Sequence, residues 1–94
     1  MSKEEIKRIL VKVLKKEGVI KASLFGSVAR GDSKENSDID IIVQFEEGKS
    51  LLDLAGLKVE LEELFHRKVD VITFNSIHPL LKEYIEKEQE ELYA

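Results

Sequence analysis

Apolar residues recur at helical spacing near the start of the chain, at Ile6, Ile9, Leu10, Val13 and Leu14. A capping box of Ser2 and Glu5 opens that segment and Gly18 is placed to end it, so the first element is a helix. From Val19 to Phe25 the period falls to two, with Ile20, Ala22 and Leu24 on one face against Lys21, Ser23 and Phe25 on the other, the pattern of a half-buried strand. Ser27 to Arg30 fits one helical turn closed by Gly31, and Asp32 to Ser37 is polar and turn-rich. Asp38 to Phe45 alternates again, with Asp38, Asp40 and Ile42 on one face and Ile39, Ile41 and Val43 on the other.

Past the Glu46-Glu47-Gly48-Lys49 turn, Ser50 caps a helix whose stripe includes Leu54, Leu57, Leu61, Leu64 and Phe65 and which ends near His66. Lys68 to Phe74 is a third strand, with Val69, Val71 and Thr73 on one side and Asp70, Ile72 and Phe74 on the other. A last helix starts around Ser76 to Pro79 and carries Leu80, Leu81, Tyr84 and Ile85, packed as core, before an acidic tail to Ala94. The strand, helix, strand order after Asp38 implies a parallel pair, while the short return after Gly31 allows the first two strands to run antiparallel. The fold expected is α/β (α+β), a small mixed β-sheet of three or more strands. Helices should cover the face bearing Ile20, Leu24, Ile39, Ile41, Val69 and Val71, leaving the acids on the opposite, open face.

Composition narrows the chemistry. With 94 residues and 43% hydrophobic content the chain fits one domain, 1–94, with one modest core. There is no cysteine and there are two separated histidines, which removes disulfides, thiolate zinc and thiol nucleophiles and leaves oxygen ligands. No apolar run approaches the length of a membrane span and the N-terminus lacks a signal-peptide core, so a cytoplasmic location with no membrane partner is expected. A net charge of -4 argues against direct nucleic-acid binding, which rests on Lys and Arg neutralising phosphates. The 36% charged content, mostly Glu and Lys, hints at a thermophilic source.

Gly26 and Ser27 end the first strand, and ten residues later Asp38 and Asp40 stand two apart on one strand face. Gly26 lets a phosphate approach the backbone without a Cβ, and Ser27 adds a hydroxyl and an N–H at the start of a helical turn. Asp38 and Asp40, with backbones about 6.6 Å apart, can converge on hard cations, and phosphoryl transfer uses two such cations to clamp the attacking and leaving oxygens. Asp70, on an adjacent strand, is the candidate third acid, as metal ligand, as general base, or as both. Arg30 can pair with a phosphate or with a site acid, and Asp32 is a weaker further acid. In isolation a Gly-Ser pair is an ordinary turn and Asp-x-Asp is most often solvated or capping. Their combination on a strand of Ile and Val reverses those odds, although an ion pair of Asp70 with Arg30 or Lys68 is a structural alternative. His66 and His78 read as capping or surface residues, and Tyr84 and Tyr93 as packing or rim residues.

At these residues the chain resembles the minimal nucleotidyltransferases (MNT) of the DNA polymerase beta superfamily, whose pattern is Gly-Ser, ten residues, Asp-x-Asp and a later strand Asp. Gly26, Ser27, Ala29, Arg30, Gly31, Ser37, Asp38, Asp40 and Asp70 fall on it, and the likeness spans nearly the whole chain. The resemblance implies a polymerase-beta-like palm core and a nucleotidyltransferase using ATP and two Mg2+ ions. It implies that Asp38, Asp40 and Asp70 are the catalytic and metal-binding acids and that Gly26 and Ser27 bind the triphosphate. It also implies a partner, since many such proteins resemble antitoxins encoded beside a HEPN-type toxin, and some transfer AMP to a tyrosine of that toxin.

Three readings follow. The first is a protein adenylyltransferase acting on a HEPN partner as its antitoxin. The second is a non-catalytic antitoxin that neutralises its partner by binding. The third is a small-molecule nucleotidyltransferase, against which the short chain counts because such enzymes usually carry a further helical domain.

Overall fold

The computed structural model describes residues 1–32, 34 and 36–94; Ser33 and Glu35, in the polar stretch expected to form turns, lie outside the described residues. In chain order the elements are α1 (Lys3–Lys16), β1 (Val19–Phe25), α2 (Gly26–Arg30), β2 (Ile39–Phe45) and α3 (Leu51–Phe65). They are followed by β3 (Val69–Thr73), a 3-10 turn (Phe74–Ser76), α4 (Pro79–Glu88) and β4 (Glu90–Tyr93). The strands form one mixed sheet in the order β3-β2-β1-β4. As the connections imply, β1 and β2 are antiparallel and β2 and β3 parallel. Among the described residues no helix is long and apolar enough to cross a membrane.

Local chemistry accounts for the helix ends. Ser2 and Glu5 exchange the two bonds of a capping box, and Ser50 and Asp53 repeat it at the start of α3. At its far end α3 stops on His66, which takes the left-handed conformation at φ 53°. The His78 ring accepts the Leu80 N–H at 3.1 Å, capping α4 just before Pro79.

One aliphatic cluster joins the pieces. Ile6, Leu10 and Leu14 of α1, Leu57 and Leu61 of α3 and Val28 of α2 pack with Ala22, Leu24, Ile39, Ile41, Val43 and Val69 of the sheet. Burial of each such Leu or Ile side chain stabilises the fold by about 1.5–3 kcal/mol.

Four expectations need correction. Ile20 is 47% exposed while Val19 is buried, because a bulge opposes Val19 to Phe45 and Lys21 to Gln44, two steps on β1 against one on β2. Leu64 lies outside the buried stripe of α3, which keeps Leu57, Leu61 and Phe65. The acidic tail is a fourth strand, antiparallel to β1, with Glu90 held by Lys3 at 2.6 Å and Lys7 at 2.7 Å. Finally, α4 is not core: Ile85 is buried, but Leu80, Leu81 and Tyr84 are exposed.

The acid-bearing face is open around Asp38 and Asp70 but not across its full width. Ser23 and Ile42 are buried there, and a cavity of about 230 Å³ is lined by Lys21 and Gln44 of this face together with Ile85 and Gln89.

Candidate active site

The first half of the site is the exit from β1. Phe25 is extended, Gly26 turns to φ 71°, and the chain enters α2 with no side chain capping its first N–H groups. Gly31, at φ 81°, ends this short helix by donating to the carbonyls of Ser27 and Val28. The β1–β2 register opposes Phe25 to Asp40, which brings Gly26 onto the Asp40 carboxylate. A Cβ on Gly26 would run into Asp40 Oδ2, so position 26 needs glycine both for its dihedral angles and for this close approach.

The second half comes from the parallel pair. Register sets Asp40 beside Asp70 and Ile39 beside Val69. Asp38 stands one residue before β2, and the following Ile39 N–H donates to the Lys68 carbonyl at 3.0 Å. From α3, Lys58 donates to the Val69 carbonyl at 2.7 Å and Glu62 accepts the Val69 N–H at 3.0 Å, fixing the start of β3 and with it Asp70. That N–H, with help from Lys58, holds the Glu62 carboxyl below its ordinary value.

Electrostatically the acids form a strained group. Burial, a hydrogen bond with the Asp70 carboxyl, and the Asp70 and Asp38 charges together push the Asp40 carboxyl up from 3.8 to about 6, against the pull of Lys68. The Lys68 ammonium is 3.8 Å from Asp38 Oδ2 and 3.9 Å from Asp70 Oδ1, and Lys58 is 3.8 Å from the same Asp70 oxygen. Arg30 points to neither acid pair; its guanidinium contacts Asp32 at 3.3 Å. Of the two structural partners considered for Asp70, Lys68 is therefore present and Arg30 is not.

The fold thus brings Gly26, Asp40 and Asp70 into direct sequence across three elements, with Asp38 joined through Lys68 and Ser27 on the first turn of α2. Among the described residues no three His, Cys, Asp or Glu side chains close on one point as metal ligands do. The donor set nonetheless fits a hard divalent cation. It is all carboxylate oxygen, its central acid is raised by burial and by like charge, and a glycine cradle keeps the space beside Asp40 free of side chain.

Sequence reasoning missed two supports. Arg67 donates to the Ser37 carbonyl from Nη2 at 2.6 Å and from Nε at 2.8 Å, and to the Lys34 carbonyl at 3.2 Å, fastening the loop that delivers Asp38. Lys58 is the other. The only sequence signal is the basic pair Arg67-Lys68 directly before the Asp70 strand.

Similarity to known proteins converges on one description. Residues 4–94 match the family described as polymerase beta, nucleotidyltransferase. A Methanocaldococcus jannaschii protein provisionally named a protein adenylyltransferase is 61% identical over 85 residues, 90% of this chain and 91% of its own. The protein adenylyltransferase MntA of Thermococcus cleftensis is 44% identical over 79 residues, 79% of each chain. A solved structure provisionally named a minimal nucleotidyltransferase superposes with TM-score 0.82 at 36% identity, over 96% of this chain and 95% of its own. A toxin–antitoxin crystal structure with AMP-PNP has the same fold, with TM-score 0.81 at 23% identity, over 94% of this chain and 73% of its own. With the strand order, the Gly26 turn and the paired acids, these likenesses agree: the chain belongs to the polymerase beta nucleotidyltransferase family.

Proposed function

We propose that this chain transfers AMP from magnesium-bound ATP to a tyrosine hydroxyl of a HEPN-type toxin and acts as its antitoxin. The observation that carries the reading is the register that sets Asp70 beside Asp40 and Asp40 beneath Gly26, joining a phosphate turn to paired acids. ATP and a protein acceptor are drawn from the names of the adenylyltransferase relatives, and the toxin from the toxin–antitoxin structure of like fold.

Gly26 and Ser27 offer uncapped N–H groups and the Ser27 hydroxyl to the β- and γ-phosphates. Arg30, exposed and paired with Asp32, can turn to the same phosphates. Asp38, Asp40 and Asp70 would hold two magnesium ions, which neutralise phosphate charge and make the acceptor hydroxyl more acidic. Asp70, half-exposed at the start of β3, accepts the proton of the attacking hydroxyl. The hydroxyl oxygen bonds to the α-phosphorus while the bond from that phosphorus to the bridging oxygen breaks, and pyrophosphate departs.

A second reading, a non-catalytic antitoxin that works by binding, draws on one feature. Leu80, Leu81 and Tyr84 leave an apolar stripe on α4 that the chain itself does not cover, with Leu80 85% exposed.

The test mixes the protein and its co-encoded neighbour with magnesium and each of four α-labelled nucleoside triphosphates, with Asp40→Ala as control. Label on protein from ATP alone, absent with the control, is the expected result. A stable complex without label would replace the enzyme reading by the binding one.

A further inference from the structure

Two basic side chains reach the acid group, a third holds the loop before it, and the three are held in different ways. Arg67 is committed to backbone carbonyls of the loop before Asp38. Lys58 is anchored by its 2.7 Å bond to the Val69 carbonyl and pairs with Glu62 at 3.4 Å. Lys68 differs from both. Its backbone is pinned at the β2–β3 seam by the Ile39 N–H, yet among the described residues its ammonium makes no hydrogen bond, and its side chain is 61% exposed. What holds it is charge alone, from Asp38 just before β2 and Asp70 within β3, at nearly equal distances of 3.8 and 3.9 Å.

A compact cation placed midway between two carboxylates, without directional bonds, is in the position a divalent ion would take. Exposed pairs of this geometry are weak, so the four-carbon stem can swing to solvent when a stronger cation arrives. Without a cation there, only Lys58, 3.8 Å from Asp70, would offset the charges of Asp38, Asp40 and Asp70 across neighbouring strands.

We propose that Lys68 is the resident counter-ion of the acid group, standing between Asp38 and Asp70 when no metal is bound and displaced when a divalent cation enters. The residue thereby tunes metal affinity downward and offsets part of the carboxylate repulsion in the metal-free site. This rests on the metal role assigned above to Asp38, Asp40 and Asp70.

The experiment titrates Mn2+ into the wild type, Lys68→Met and Asp40→Asn, following free manganese by electron paramagnetic resonance, and records each melting temperature in chelator. Removal of one weakly held competing charge should tighten manganese binding in Lys68→Met by about fivefold. It should also lower the melting temperature of that variant in chelator, leaving a larger gain on adding manganese. Equal or weaker manganese binding by Lys68→Met overturns the proposal. So does unchanged manganese binding with weakened Mg-ATP binding, which would make Lys68 a triphosphate ligand. Manganese binding by the wild type that Asp40→Asn leaves intact would instead remove the metal role of the acids, and the Lys68 proposal with it.

Discussion

The two faces of strand β2 are built to opposite rules. On one, Ile39, Ile41 and Val43 are buried against α1 and α3 and join a single aliphatic cluster. On the other, burial of Asp40, with Asp70 and Asp38 crowding it, makes its carboxyl hold its proton up to about 6. The first face stabilises the fold through area removed from water, and the second costs stability through like charges on adjacent strands. Alternation with a period of two lets one strand serve both, so a substitution on one face should leave the other's property intact.

The largest expected break is on the aliphatic side. Leu61→Ala, at a side chain with no exposure, should cost about 2–5 kcal/mol in denaturant titration, with manganese affinity of the folded protein unchanged. On the acid side Asp40→Asn should lower AMP transfer by at least about a hundredfold, measured as label on the acceptor, without loss of melting temperature. Gly26→Ala touches both properties. Its backbone is at φ 71° and its new Cβ meets Asp40, so it should melt about 5 °C lower and lose most transfer.

Smaller effects concern pH. Because the folded-state pKa of Asp40 is raised from 3.8 to about 6, its contribution favours the fold below 3.8 and is lost as pH rises through about 6. Melting in chelator between pH 4 and 7 should therefore fall more steeply with pH for the wild type than for Asp40→Asn. The gain from magnesium should run the other way, growing as pH rises past about 6, because the metal requires the ionised carboxylates. With ATP and magnesium together, a shift of about 2–4 °C is expected at saturating ligand.

The sequence made most of this contrast legible because its signals are local. Capping boxes, the alternation in β2 and the ten-residue spacing from Ser27 to Asp38 each lie within a short stretch. Asp70 was reachable because its strand carries the same anomaly, a lone acid among Val and Ile. Strand β4 was hidden because Glu90 reads as solvated tail until Lys3, 87 residues away in sequence, neutralises it. Ile20 went to the wrong face because one bulge residue inverts the alternation upstream of it. Leu80, Leu81 and Tyr84 kept the helical spacing of a core stripe, but α4 meets the rest of the fold chiefly at Ile85. The Lys68–Asp70 pair was legible because the two residues stand two apart in the sequence, but the Arg67 clamp and the reach of Lys68 to Asp38 depend on tertiary distance.

The most direct test of the account places both properties of Asp40 in one variant. Asp40→Asn is compared with the wild type for melting temperature in chelator near pH 7.5 and for AMP transfer to the partner with magnesium and ATP. The account predicts a melting temperature at or above that of the wild type together with loss of transfer. Transfer at the wild-type rate, or a lower melting temperature, would contradict the assignment of this face to chemistry at the expense of stability.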